Sequence, residues 1–266
     1  MKAIITGATG GLGKSFVYEC AKRGYDLVLS ATNQKRLDAL KQEIHTHYPN
    51  ISVVTKECNL ADENSRKSFY EFIEALETKP NILINNAGYI VEGSVLGTTN
   101  EEINSCINVN ISGTTNLAYW FLTNREKSVK NYCLFVSSLA SYYPMPQMAT
   151  YGASKSYLTH LSVSLRKELK KEKVNVSCIC PGGMATNEAM KRSLKSQGIS
   201  GKLSSISTDK VARIGIKKLL KNKAIWVPGI FNKFMILFAK ILPKKVIASF
   251  VGNRWTKCEK KRGEYR

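Results

Sequence analysis

The chain has 266 residues, 43% hydrophobic and 23% charged, proportions that exclude disorder, collagen-like repeats and a multi-span membrane protein. Lys and Arg outnumber Asp and Glu by 40 to 20, a net charge of +20, which calls for an anionic partner: a phosphate-bearing ligand, nucleic acid or a membrane surface. The excess lies late, with 14 basic and two acidic residues from Lys217 to Arg266, a net of +12, against +8 for residues 1–216.

In chain order, short apolar runs alternate with stretches of helical period. Strands are predicted at 2–6, 25–30, 51–55, 81–86, 131–138, 174–180 and 224–227, and helices at 11–23, 33–47, 62–78, 100–124, 149–172 and 208–222. The run CLFVS at 133–137 is continuously apolar, as expected of a parallel strand covered on both faces. Repeated βα units of this kind predict an α/β fold, a single doubly wound Rossmann domain over 1–228 with a mainly parallel seven-stranded sheet. A helical extension over 229–266 completes the expected organisation. The polar stretch 187–207 follows a strand end and is longer than an ordinary connection, so it reads as a flexible loop and a candidate lid.

Seven cysteines, an odd number without framework spacing, include Cys133, Cys178 and Cys180 inside apolar runs. They read as reduced core thiols of a cytoplasmic protein. No His or Cys companions stand at ligand spacing, so no metal is expected. The N-terminus MKAIITGATGGLG leaves no room for a signal peptide, and secretion is not expected.

Directly after the first strand come Gly7, Thr9, Gly10, Gly11, Leu12 and Gly13, which run into a helix. Glycines let the backbone amides approach a pyrophosphate, and the helix N-terminus adds positive potential. The strand, loop, helix and second strand form the context that dinucleotide binding requires. Further along, Tyr151 and Lys155 are four apart on one helix face and follow Ser138 at the end of the fifth strand. Tyr18 and Lys22 have the same spacing without a polar strand end, and read as a surface or packing pair.

These segments together resemble the short-chain dehydrogenase/reductase family over about residues 2–228. The motifs are T-G-x-x-x-G-x-G from Thr6 to Gly13, Asn85-Asn86-Ala87-Gly88, Asn110, Ser138, Tyr151 with Lys155, and Pro181 to Thr186. The resemblance implies catalytic roles for four residues. Tyr151 would exchange a proton with the carbonyl oxygen as hydride is transferred, and Ser138, rather than Ser137, would hold that oxygen. Lys155 would bind the nicotinamide ribose and lower the Tyr151 pKa, helped by the oxidised nicotinamide. Asn110 would hold a water in a proton relay.

The resemblance also implies that Asn86, Ala87 and Gly88 pass along the adenosine. Asn59 and Leu60 would lie beside the adenine, and Pro181, Gly182, Met184 and Thr186 would contact the nicotinamide carboxamide. At the end of the second strand, Ala31, Thr32 and Asn33 include no acidic side chain that would repel a 2′-phosphate. Thr32, Asn33, Lys35 and Arg36 can supply donors and charge, so NADP(H) is favoured over NAD. His45, His47 and His160 have no place in this scheme.

After Pro228-Gly229, the apolar segment 230–242 is too short to span a bilayer, which needs about 20 residues. Lys233, Lys240 and Lys244, at i, i+7 and i+11, are predicted to share a helical face. Such a segment can pack within the protein or an oligomer, lie in a membrane interface, or roof a greasy pocket. The expectation is an NADPH-dependent reductase of a lipophilic ketone, 3-oxoacyl or steroid-like, forming a homodimer or homotetramer in the cytoplasm. Peripheral membrane contact through the extension is part of that expectation, and specific nucleic-acid binding is not, for want of a recognition motif. The rival readings are a catalytically silent cofactor sensor, or a membrane- or nucleic-acid-associated protein on the same fold.

Overall fold

Strand β1 (Lys2–Thr6) is the apolar run KAIIT, buried after its first residue, and it takes an interior place in the sheet, third from one edge. A computed structural model describes residues 1–186 and 188–262, leaving aside the side chains of 189, 193, 199, 200 and 258–262. The chain continues through α1 (Gly11–Ala21), β2 (Asp26–Ala31), α2 (Gln34–His47), β3 (Val53–Glu57), α3 (Glu63–Glu74) and β4 (Ile82–Asn85). The second half adds α4 (Asn100–Ile107), α5 (Thr114–Thr123), β5 (Asn131–Val136), α6 (Ala149–Glu168), β6 (Val174–Ile179) and β7 (Ile225–Trp226). The seven strands pair in parallel in the order β3-β2-β1-β4-β5-β6-β7.

The continuous apolar runs are explained by two cores. Ala3, Ile5, Leu27, Leu29, Leu134 and Val136 pack on one face of the sheet, while Ile4, Val28, Cys133 and Phe135 pack on the other. Alternate side chains of one strand thus enter different cores, and neither face can be polar. Strand order reverses between β1 and β4, which opens a crevice at their carboxyl ends. There Thr6 Oγ1 accepts from the amides of Asn86 and Ala87 at 3.1 and 3.0 Å, tying the two strand ends together.

Three expectations change. The helix predicted over 100–124 is interrupted by a π-helical turn, Asn108–Gly113, between α4 and α5. A Cβ on Gly113 would lie 2.2 Å from the Leu60 carbonyl oxygen, so the backbones approach closely here. The stretch read as a flexible loop forms α7 (Glu188–Ser196) and α8 (Gly198–Ser204), with Asn187 outside the described residues. Its polar composition concealed an inward line that includes Met190 and Leu194. Finally, α9 (Thr208–Leu220) leads through β7 to α10 (Ile230–Ile241), and α11 (Lys244–Arg262) starts anew. Pro243 holds Leu242 extended, with ψ 145°, so Lys244 does not continue the face of Lys233 and Lys240.

Asn232, buried on α10, donates to the carbonyls of Ser204 and Pro228 at 3.2 and 2.9 Å. The extension is therefore fastened to the end of α8 and to the turn after β7. Among the described residues, no helix is long and apolar enough to cross a membrane.

Candidate active site

A cavity of about 970 Å³ lies past the carboxyl ends of β1 to β6. One end of it is backbone. Gly7 has φ +62°, and a Cβ there would meet the Ala87 Cα at 3.0 Å. A Cβ on Gly13 would fall 2.0 Å from the Gly7 carbonyl oxygen, and one on Gly11 would press on Thr186 at 3.0 Å. The loop thus folds onto the helix start only with glycine at these places. No side chain caps α1, and its first turn carries no acidic residue. Its amides and dipole are arranged for an anion, as a dinucleotide pyrophosphate requires. Asn86 braces this end, its Nδ2 donating to the Thr6 and Gly7 carbonyls at 2.9 and 3.2 Å.

Of the expected cofactor residues, Gly7, Thr9, Gly10, Gly11, Leu12, Gly13, Thr32, Asn59, Leu60, Asn86, Ala87, Gly88, Tyr151, Lys155, Gly182, Met184 and Thr186 line the cavity. Asn33 and Pro181 do not. Asn33 Oδ1 accepts from the Arg36 amide at 2.9 Å as the N-cap of α2, and Pro181 is buried with its carbonyl accepting from Leu139 at 2.8 Å. Arg36 itself lines the adenosine end, with Nη2 3.4 Å from the Thr9 carbonyl oxygen, and so does Lys14. Lys14 carried no signal beyond its place after Gly13. No acidic residue lines that end among the described residues.

At the other end, Ser138, Tyr151 and Lys155 converge. Ser138 caps the start of the turn after β5, its Oγ accepting from the Ala140 amide at 3.2 Å, and hydrogen-bonds to the Tyr151 phenol. Ser137 faces inward, its Oγ donating to the Lys155 carbonyl at 2.8 Å and pairing with Thr159 Oγ1 at 2.8 Å. These contacts separate the two serines: Ser137 locks β5 to α6, and Ser138 meets the tyrosine. Lys155 Nζ donates to the Val136 carbonyl at 3.0 Å and stands 5.7 Å from the Tyr151 ring centroid. A Cβ on Gly88 would come within 3.3 Å of that ammonium, so bare backbone gives it room.

Burial dominates both titrations. It pushes the Tyr151 phenol above its ordinary value, with the Ser138 hydrogen bond pulling the other way. It takes the Lys155 ammonium down to about 8. Burial sets the direction for the phenol in the protein alone, whereas the expected lowering belongs to the state with an oxidised nicotinamide beside Lys155 and Tyr151.

Asn110 sits in the π-helical turn and is completely buried. Its Oδ1 accepts from the Tyr89 amide at 2.8 Å, while Nδ2 donates to the Tyr89 carbonyl at 2.9 Å and Ser154 Oγ at 3.0 Å. With both ends of the amide engaged, the side chain positions the segment after Gly88 and does not line the cavity. The Tyr18 pair is structural: the Tyr18 hydroxyl donates to Glu43 and is pushed up to about 12, chiefly by burial.

Residues with no sequence motif build the remaining wall. Tyr143, Met145 and Met148 come from the segment before α6, Met190 and Leu194 from α7, and Phe231 and Met235 from α10. Phe250, Val251, Arg254 and Trp255 of α11 close it. The only available signal was the i, i+4 spacing of Phe231 and Met235. Of the readings open for the extension, walling an apolar pocket applies to this inner side.

The family described as short chain dehydrogenase has a sequence model that matches residues 1–197. Among curated proteins, a very-long-chain 3-oxoacyl-CoA reductase of Neurospora crassa is 33% identical over 184 residues, covering 66% of this chain and 54% of that protein. The chain thus spans about half the length of the curated relatives it first matches. Among solved structures, a short-chain dehydrogenase from Sphingobium yanoikuyae in complex with NADPH superposes with a TM-score of 0.77 at 24% identity, covering 93% of this chain and 95% of that one. A structure described in terms of 7beta-hydroxysteroid dehydrogenase stereoselectivity gives 0.85 at 20% identity, with 94% and 96% covered.

Proposed function

The chain belongs to the short chain dehydrogenase family, and on that premise we propose that it reduces a lipophilic ketone to a secondary alcohol with NADPH. The carrying observation is the convergence of Ser138, Tyr151 and Lys155 at one end of a cavity whose other end is the glycine loop. A reduced nicotinamide dinucleotide held along Gly7 to Gly13 and Asn86 to Gly88 would supply the hydride.

Ser138 holds the substrate carbonyl oxygen by hydrogen bond, and Tyr151 gives that oxygen its proton. A phenol held protonated by burial is in the correct state for reduction at neutral pH. Lys155, charged below about pH 8, stabilises the phenolate left behind and has reach for a ribose hydroxyl. Asn110 acts as a positioning residue through Tyr89.

The apolar wall supports a lipophilic substrate, and the relatives named very-long-chain 3-oxoacyl-CoA reductase support an acyl carbonyl. Arg36, and Lys14 with its long 3.5 Å pairing to Glu43, support NADPH over NADH. The division at residue 228 separates a cofactor-holding unit from the segment that closes its cavity. Exposed Ile107, Tyr119, Tyr157 and Val163 on the outer helices support self-association.

The test is a panel of ketones monitored by NADPH oxidation, run with the wild type and Tyr151→Phe. Turnover should fall by about a thousandfold or more, with NADPH affinity within about threefold because a single phenol adds little to cofactor binding. Substantial turnover by the variant would remove Tyr151 as the acid.

A further inference from the structure

Eight of the nineteen exposed large apolar side chains among the described residues fall between Ile230 and Phe250. On α10, Ile230, Phe234, Leu237, Phe238 and Ile241 are 55% to 71% exposed. Their spacing, i, i+4, i+7, i+8 and i+11, aligns them in one stripe. The opposite face, with Asn232 and Ile236, is buried, so the outer stripe is not needed to hold the helix in place.

Basic groups border this stripe. Lys233 and Lys240 run along one edge, and Lys233 Nζ stands 4.4 Å from the Trp226 ring centroid, with Lys218 at 3.4 Å from the same ring. Removal from water, followed by repulsion from Lys223, Lys217, Lys221 and Lys233, pushes the Lys218 ammonium below the ordinary value. From Lys210 to Cys258 the sequence has twelve Lys and Arg and no Asp or Glu. A second copy bringing this face against itself would add like charges with no acid to pair them. A nucleic-acid backbone would leave the apolar stripe in water. An anionic bilayer surface accepts both the stripe and its basic border.

The stripe is continuous with the cavity rim. Phe250 is 63% exposed and also lines the cavity, and Phe231 and Met235 form its wall from the inner side of α10. We propose that α10 is an in-plane anchor that seats the chain on an anionic bilayer, with the Phe250 rim against the lipid, so that an apolar carbonyl compound reaches the cavity from the membrane. Its delivery clause rests on the reductase reading, and its anchoring clause does not.

The experiment is flotation of the full chain with phosphatidylcholine vesicles, with and without about one-third phosphatidylserine, at low and physiological salt. Binding is expected on the anionic vesicles and should weaken with salt. The triple variant Leu237→Gln, Phe238→Gln, Ile241→Gln should lower the partition coefficient by about a hundredfold through lost apolar burial. A second triple, Lys240→Gln, Lys244→Gln, Lys245→Gln, should lower it by about as much. Both should keep the wild-type melting temperature and turnover of a water-soluble ketone, and lose turnover of a ketone dissolved in the vesicles. Wild-type protein that stays in solution with both vesicles, or binding that survives both triples, overturns the anchor. So does a wild-type dimer, unable to bind vesicles, that the apolar triple converts to monomer, because a second copy then covers the stripe. Vesicle binding with equal turnover of the dissolved ketone by wild type and triples overturns delivery. A chain that floats but turns over neither ketone overturns the reductase reading and leaves the anchor standing.

Discussion

The two ends of the cavity are made of different material. The glycine-loop end is backbone, where Gly7, Gly11 and Gly13 are packed against carbonyls and Cα atoms that cannot turn aside. The far end is side chain, with Met145, Met190, Leu194, Phe231 and Met235 drawn from three separate segments. Backbone contacts fix residue type, because one methyl group collides with something that has no rotamer to change. A side-chain wall can be refilled by other apolar groups of similar volume. The first end therefore defines the kind of reaction, and the second defines which carbonyl compound fits.

A single methyl group at two positions of the glycine loop is the sharpest way to break that contrast. Gly13→Ala places a Cβ 2.0 Å from the Gly7 carbonyl oxygen, and should destabilise the protein by more than about 4 kcal/mol. Gly10→Ala, whose Cβ would reach the same oxygen only at 3.4 Å, should leave the melting temperature nearly unchanged. Equal melting temperatures for the two variants would show that the loop yields after all.

Lys155 has features of both ends, since it is a side chain enclosed like backbone, only 4% exposed. Its folded pKa of about 8 lies below the ordinary 10.5, so the unfolded chain binds the proton more tightly. Stability should rise with pH between about 8 and 10.5, by about 3 kcal/mol in all. Lys155→Met should raise the stability of the cofactor-free protein at pH 7 by a similar amount while removing turnover, and the gain should shrink as the pH approaches 10.5. Denaturant unfolding across that range measures it. A variant no more stable than wild type at pH 7 would mean that the ammonium is not penalised by burial.

Met235→Ala tests the other wall. It widens the cavity without touching Tyr151, so KM for bulky ketones should change by about tenfold, with kcat on a small ketone held within about twofold. A uniform loss of kcat on both would place Met235 in the support of the catalytic group instead.

The contrast also explains what could be read in the sequence. Each strand and the glycine loop were legible because parallel strands need continuous apolar runs and the loop needs glycine. Ser138, Tyr151 and Lys155 were legible through spacing and position at a strand end. The wall was not, since Met190, Leu194 and Phe231 do their work through volume alone, and volume leaves no motif. The segment 187–207 was misread for the same reason: a helix with one narrow apolar line has the composition of a loop. Asn110 was found, but its contacts with Tyr89 depend on a π-helical turn that periodicity over 100–124 cannot distinguish from an α-helix.

The smallest expected effect concerns Arg36, where the backbone end meets solvent. Its guanidinium is exposed and its hydrogen bond to Thr9 is long, at 3.4 Å. A 2′-phosphate at this position would gain an exposed ion pair that is partly screened by salt, worth about 1 kcal/mol. Arg36→Ala should therefore weaken NADPH binding by about fivefold, within that same exposed-pair range, and leave NADH binding unchanged. The difference should narrow as ionic strength rises. It should not reverse the preference, because removing a cation adds no acidic acceptor for the ribose hydroxyls. Cofactor fluorescence titrations at two salt concentrations measure both affinities. An unchanged NADPH affinity would shift the phosphate contact to Lys14, whose partner Glu43 lies 3.5 Å away and is readily displaced.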